Sequence, residues 1–164
     1  MSRTCDLRGE PRPLRVAKVR DTAIIPTRKN PTDAGIDFYS DEDSFILKPF
    51  EMILVRTGIS VEVPKGWMLL LKPKGRSNHL VGAGVVDAGY EPGEIVVKLF
   101  NPTKFNIPIP RGSAIAQGVL VSVSTREIVE TTLDVLGDKE LGRSGSGKIL
   151  EQVSMPFKSN LEIE

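Results

Sequence analysis

The most informative stretch of this chain runs Gly84-Val85-Val86-Asp87-Ala88-Gly89-Tyr90-Glu91-Pro92-Gly93-Glu94. It passes through two β-branched residues and then brings a carboxylate, glycines and a tyrosine together. Glycines let backbone groups approach a ligand closely, and a carboxylate at the rim of a site can orient or deprotonate water. The stretch is therefore typical of a turn that serves chemistry on a ring-bearing ligand. An ordinary hairpin, with Tyr90 in the core and Asp87 capping the turn, explains the same residues.

The composition restricts the classes of protein to which the chain can belong. Its 164 residues, 40% hydrophobic and 26% charged, predict one soluble globular domain. A net charge of +1 favours neither a nucleic acid nor a membrane as partner. One cysteine (Cys5) excludes an intramolecular disulfide, and one histidine (His79) leaves no His/Cys metal cluster. Without a long apolar run or a signal-peptide pattern, we expect a cytoplasmic protein, or one in the host cytoplasm if the source is a virus.

The pattern of apolar runs predicts an all-β protein. Twelve prolines and fifteen glycines punctuate short runs, and no long helical period is present. We expect strands over residues 14–19, 53–55, 59–63, 67–71, 95–100, 106–109 and 114–123. Many short strands at close spacing are typical of a sandwich or jelly roll. We expect an N-terminal arm over 1–13, a β domain over 14–136 and a mobile tail over 137–164.

Four motifs and a degraded fifth follow one another along the chain. The first is Pro31-Thr32-Asp33-Ala34-Gly35-Ile36-Asp37-Phe38-Tyr39-Ser40, and the second is Gly75-Arg76-Ser77. The third is the stretch from Gly84 to Glu94, and the fourth runs from Gly112 to Gln117 and ends Ile115-Ala116-Gln117. The fifth is Gly142-Arg143-Ser144-Gly145-Ser146-Gly147-Lys148. In this order they resemble the motifs of the trimeric dUTP pyrophosphatases, the dUTPase family, whose fifth motif lies on a flexible tail, and the resemblance covers about residues 14–148.

The resemblance implies a fold, an assembly and a reaction. The fold would be a jelly-roll subunit of the β-clip type, assembled as a homotrimer in which three chains build each site and a neighbour donates the tail. The reaction would be hydrolysis of dUTP to dUMP and pyrophosphate, with Mg²⁺ on the triphosphate. Such phosphoryl transfer needs a placed water, charge neutralisation and in-line geometry.

The resemblance also assigns roles to individual residues. Asp87 would activate the water, Gln117 would hold water or a phosphate oxygen, and Asp37 would lie near the magnesium through water. Tyr90 would pack beneath the deoxyribose, and the backbone of residues 84–88 would read the uracil edge. The expected substrate-binding residues are Arg76, Ser77, Asn78, Gly84, Val85, Val86, Tyr90, Lys98, Arg143, Ser144, Gly145 and Ser146.

The chain departs from the family pattern at several points. Ala114 stands where the fourth motif usually has an arginine, and Arg143 stands where the fifth usually has a phenylalanine. An arginine plane can stack on a base as a ring does, or Arg143 can replace the tail's phosphate-binding arginine. The connection from Arg76 to Asp87 is short for the family, and one residue is added at Glu91-Pro92. We therefore expect the rim of the active site to differ in shape from that of the family, and the fold to be the same.

Other functions fit the sequence less well. Gly147-Lys148 ends a P-loop-like run, but Ile149 replaces the required Ser/Thr and no buried strand precedes it. A dCTP deaminase has the same fold and a related third motif. Lys98, however, stands at the position of its catalytic glutamate and is the wrong group for that reaction. A non-catalytic regulatory or assembly protein on this scaffold is the third alternative.

Overall fold

Antiparallel strands make up the fold in the computed structural model, which describes residues 12–82, 84–89, 93–132 and 135. The strands are β1 Arg15–Lys18, β2 Gly35–Tyr39, β3 Phe45–Leu47, β4 Met52–Glu62, β5 Trp67–Lys72, β6 Leu80–Val81, β7 Gly84–Asp87, β8 Glu94–Phe100, β9 Ile107–Ile109 and β10 Ala114–Ser122. They form two four-stranded sheets, ordered β1-β4-β8-β6 and β2-β10-β5-β7, and a small β3-β9 sheet. The predicted all-β class is confirmed. Within the described residues, no helix is long and apolar enough to cross a membrane.

One hydrophobic core joins the sheets. Strand β8 alternates between buried and exposed positions, which is the pattern of a sheet with one face on the core. Its Val97 and Leu99 are buried with Phe38 of β2 and Leu69 of β5, all at 1% exposure or less. Ile115 of β10 is equally buried. The inward faces of the two four-stranded sheets therefore share one core, and their outward faces carry the remaining side chains.

A glycine bulge explains one error in the predicted strands. Residues 53–55 and 59–63 were expected to form two strands, but they belong to the single strand β4. The pairing of β4 with β8 shifts register between Arg56 and Ser60, and Gly58 between them has a φ of +65°. A Cβ at Gly58 would lie 2.6 Å from the Cβ of Ala23. Glycine is therefore required both by the backbone conformation and by the close approach of the neighbouring loop.

Strands β2, β3, β6 and β7 were missing from the expected set. β2 lies within the first motif and β7 within the third, so polar and glycine residues interrupt their apolar pattern. The remaining predicted strands were confirmed to within one or two residues, apart from the merging at β4. Backbone contacts divide the chain into two units, Met1–Thr125 and Arg126–Glu164, and all ten strands lie in the first. The predicted boundaries of arm and tail stay predictions.

Candidate active site

Asp37 and Gln117 lie directly opposite each other on the neighbouring strands β2 and β10. Both side chains are partly exposed on the outward face, whereas Phe38, the next residue of β2, faces the core and is fully buried. The side-chain amide of Gln117 donates a hydrogen bond to the carbonyl of Pro73 at 2.9 Å. A Cβ at Gly35 would collide with Oε1 of Gln117, so the glycine leaves room for the amide. The first and fourth motifs are thus joined to the loop that carries the second.

The loop after β5 contacts Asp37 through a lysine. Nζ of Lys74 lies 2.5 Å from Oδ2 of Asp37, and the side chains are 28% and 24% exposed, respectively. The backbone amide of Ser77 donates to the carbonyl of Lys74 at 3.0 Å and closes the turn around an exposed Arg76. One end of the sheet therefore collects a carboxylate, an amide and two cations. Such a set can bind a polyanion and hold water.

Asp87 lies far from this cluster within one chain. It ends β7 with an exposed side chain and pairs with Met68 of β5, whereas Gln117 pairs with Lys72 of the same strand. Direct pairing and the two-residue alternation put both side chains on the same outward face. The four-residue offset along β5 corresponds to roughly 13 Å. The polar cluster and the predicted water-activating carboxylate thus occupy opposite ends of one sheet face.

A cleft of about 350 Å³ lies between β7 and β8, beside the predicted base-reading backbone. Its lining is Leu71, Gly84, Val85, Val86, Gly93, Glu94, Ile95 and Val96. β7 pairs with β5 and β8 pairs with β4 and β6, so the two strands separate into different sheets. Backbone groups of both strands therefore border the cleft where the sheets part. The cleft is suitable for a planar ring held between two strands.

An ion-pair network that the sequence did not reveal anchors the start of β8. Oε1 of Glu94 lies 2.6 Å from Nη2 of Arg20. The same oxygen accepts a hydrogen bond from the backbone amide of Gly58 at 2.9 Å. Nε of Arg20 in turn lies 2.9 Å from Oδ2 of Asp41, which Thr22 also approaches at 3.1 Å. The contact from Nη2 of Arg20 to Glu94 is a charge-assisted hydrogen bond, which fixes geometry more firmly than a neutral one. The network therefore holds the strand that borders the cleft.

His79 connects the second motif to the fourth. The imidazole is 5% exposed, and its Nε2–H donates to the backbone carbonyl of Ile115 at 2.8 Å. Ile115 sits at the register shift between Ala114 and Ala116, two residues before Gln117. The histidine therefore fastens the short connection after the second motif to the strand that carries the amide. Its position in the sequence alone gave no sign of this contact.

Several predicted site residues lie elsewhere or outside the described part of the chain. Asn78 is exposed next to the loop of the second motif. Lys98 lies on the outward face of the other four-stranded sheet, where its stem packs over Gly82. Tyr90, Arg143, Ser144, Gly145 and Ser146 are outside the described residues. Within the described residues, no group of three or more His, Cys, Asp or Glu side chains could hold a metal ion.

The fold and the polar site at the sheet end define a jelly-roll protein suited to a phosphorylated ligand. The sequence profile of the dUTPase family matches residues 21–149. The chain is 35% identical over 123 residues to the deoxyuridine 5′-triphosphate nucleotidohydrolase of Hydrogenobaculum sp., covering 71% of this chain and 85% of that protein. It is 38% identical over 142 residues to the nucleotidohydrolase of the same name from Mycolicibacterium gilvum, covering 82% and 91%.

A solved structure agrees with these sequence relatives. A variant of the Staphylococcus bacteriophage 80alpha dUTPase, solved with dUpNHpp, is similar with a TM-score of 0.68 and 25% identity. The similarity covers 82% of this chain and 99% of that one. The chain belongs to the dUTPase family. The family resemblance of the ordered motifs and the expected jelly-roll fold are confirmed.

Proposed function

We propose that this chain hydrolyses dUTP to dUMP and pyrophosphate. The observation that carries the proposal is the convergence of Asp37, Gln117 and the loop of Arg76 and Ser77 in a member of the dUTPase family. The reaction limits the incorporation of uracil into DNA and supplies dUMP for thymidylate synthesis. We expect it to take place in the cytoplasm, or in the host cytoplasm if the source is a virus.

The proposed reaction is an in-line displacement at the α-phosphorus. Asp87 accepts a proton from water, and the water oxygen forms a bond to the α-phosphorus. The bond from that phosphorus to the oxygen that bridges to the β-phosphorus breaks, and pyrophosphate leaves with that oxygen. A carboxylate suits this role because it can take the proton without becoming covalently attached to the substrate. Gln117 can donate and accept at once, which suits it to hold the water or a phosphate oxygen.

The phosphates require positive charge and donors. The guanidinium of Arg76 provides a planar fork of N–H groups, and Ser77 adds a hydroxyl and a backbone amide, with Asn78 beside them. Mg²⁺ carried by the triphosphate would neutralise part of its charge. Such an ion retains waters and takes few protein ligands, so a single partly exposed carboxylate, Asp37, fits a contact through water. No cage of protein ligands is needed for an ion that arrives with the nucleotide.

The nucleoside would lie against the third motif and beneath the tail. The cleft between β7 and β8 supports a uracil position at which backbone groups of Gly84, Val85 and Val86 read the base. Tyr90 would pack against the deoxyribose and exclude a ribose 2′-hydroxyl. Arg143 would cover the base, and Ser144, Gly145 and Ser146 would close around the phosphates. Lys98 is the remaining expected contact with the substrate.

A homotrimer would complete this site. The separation of Asp87 from Gln117 along β5 favours a site in which one chain supplies the polar cluster and a second supplies the third motif. The outward face of the other sheet exposes Met52, Leu54 and Val96, at 62%, 65% and 41%. Apolar side chains gathered on a sheet face favour a protein partner. A monomer by light scattering at micromolar concentration would contradict the shared site.

Asp87→Asn tests the proposed reaction. The substitution retains the shape of the side chain and removes the base, so turnover of dUTP should fall by about a hundredfold or more. Binding of dUTP should remain within about threefold of the original value, since the side chain keeps its shape and the phosphate ligands are unchanged. Release of pyrophosphate with Mg²⁺ present is the measurement. Near-normal turnover by the variant would remove Asp87 from the mechanism.

A further inference from the structure

Lys74 is a cation of the polar cluster to which the motifs give no role. Its Nζ lies 2.5 Å from Oδ2 of Asp37, and both side chains retain about a quarter of their exposure. An ion pair with this exposure contributes little to stability, because water screens it and two side chains must be ordered to form it. The pair therefore has a small structural value. Its position beside the expected phosphate site remains to be explained.

The backbone holds Lys74 close to the expected phosphate ligands. The backbone carbonyl of the preceding residue, Pro73, accepts a hydrogen bond from the side-chain amide of Gln117 at 2.9 Å. The carbonyl of Lys74 itself accepts the backbone amide of Ser77 at 3.0 Å, which closes the turn through Arg76. The ammonium and the guanidinium are thus presented by one short turn fixed at both ends. A substrate phosphate bound by Arg76 would lie within reach of the flexible lysine stem.

The strand next to Asp37 supplies a second, independent observation. Ala114 pairs directly with Tyr39, and Tyr39 shares a face of β2 with Asp37, two residues away. An arginine at position 114, which the fourth motif usually has, would therefore project beside the Asp37 carboxylate. In this chain the position has no charge, and the ammonium of Lys74 comes to the same carboxylate from the loop after β5.

We propose that Lys74 is a substrate-binding residue that contacts the phosphates of dUTP beyond the α-phosphate and supplies the positive charge that Ala114 does not. An ammonium has three donors, so it can keep its ion pair with Asp37 while it donates a hydrogen bond to a phosphate oxygen. In the free protein, Asp37 keeps the ammonium at the site. With nucleotide bound, the phosphate becomes its second partner. The inference rests on the proposed function, since it concerns the substrate of that site.

Binding measurements with two probes test the inference. The probes are the non-hydrolysable α,β-imido analogue of dUTP, with Mg²⁺, and dUMP, both titrated by calorimetry. Lys74→Met should lower the affinity for the analogue by about tenfold or more, since a charge-assisted hydrogen bond is lost. The affinity for dUMP should fall by less than about twofold. Lys74→Arg should bind the analogue almost as the original protein does. Adding Ala114→Arg to Lys74→Met should restore part of the lost affinity.

A lysine on a different sheet provides the matched control. Lys48 is exposed directly after β3, in the small β3-β9 sheet and not in the sheet that carries Asp37 and Gln117, and Lys48→Met should change the affinity for either probe by less than about twofold. The inference is overturned if Lys74→Met binds the analogue as the original protein does. It is also overturned if the substitution weakens the binding of both probes equally, or if Lys48→Met has the same effect as Lys74→Met. If the unaltered protein does not bind the analogue, the proposed function itself is wrong and the inference falls with it.

Discussion

Asp87 and Gln117 lie on the same outward face of the β2-β10-β5-β7 sheet, at opposite ends of β5. Their partners on that strand, Met68 and Lys72, are four residues apart, which is roughly 13 Å. A water-activating carboxylate must be within hydrogen-bond reach of the water it activates, directly or through one further water. Within one chain this geometry keeps the base away from the phosphate cluster. A site made by neighbouring chains resolves the difficulty.

Subunit complementation provides the first prediction. Asp87→Asn and Gln117→Ala, each made in a separate chain, should both abolish most of the activity. Trimers assembled from an equal mixture should regain about a quarter of the original activity, because random assembly pairs an intact cluster with an intact third motif at that frequency. The measurement is dUTP turnover after joint refolding, with each variant refolded alone as control. Activity no greater than that of the separate variants would show that each site comes from one chain.

A second prediction concerns the stability of the turns that follow β3 and β8, which Asn101 joins. The fully buried amide of Asn101 donates towards the carbonyls of Leu47, Lys48 and Phe105, at 3.1, 3.0 and 2.7 Å. Asn101→Asp replaces these donors with a carboxylate that faces three carbonyl oxygens. The free energy of unfolding should fall by at least about 3 kcal/mol. Urea denaturation is the measurement.

The control for this variant is an exposed asparagine of the same loop. Asn106 is exposed, so Asn106→Asp makes the same chemical change in water and should alter the free energy of unfolding by less than about 0.5 kcal/mol. Equal effects of the two substitutions would mean that the amide of Asn101 does not organise the turns it contacts.

A third prediction concerns Arg143, which lies outside the described residues and rests on the sequence alone. If its guanidinium stacks on uracil when the tail closes, Arg143→Ala should lower turnover substantially and leave the oligomer intact. Arg143→Phe should then retain much of the activity, because it restores the ring that the family usually has. Steady-state kinetics measures the turnover of both variants, and light scattering measures the size of their oligomers. If Phe is as damaging as Ala while Lys is tolerated, the residue contacts phosphate instead.

The sequence predicted those parts of the fold in which local pattern and burial coincide. Alternating residues of β8 and the apolar run of β5 were recognisable because each places one face on the core. β4 was divided incorrectly because the bulge at Gly58 interrupts its alternation. β2 and β7 were missed because Asp37 and Asp87 occupy outward positions of strands, where the sequence resembles a loop.

The candidate site was predictable only through its motifs. The ordered motifs indicated Asp37 and Gln117, and the two strands pair them directly. The contact of Lys74 with Asp37 and the bond from Arg20 to Glu94 join residues far apart in the sequence. Neither pair follows a local pattern, so only the fold could reveal them. The short connection after Arg76 was noticed as a departure, but the histidine that fastens it was not.

A nucleotide panel tests the central claim most directly. The protein with Mg²⁺ is incubated separately with dUTP, UTP, dTTP and dCTP, and pyrophosphate and ammonia are both measured. The account predicts rapid release of pyrophosphate from dUTP, with turnover of the other three lower by about a hundredfold or more, because the site is built to bind one base edge and a deoxyribose. Ammonia from dCTP would identify a deaminase. Release of neither product from any of the four nucleotides would contradict the account and leave a non-catalytic scaffold.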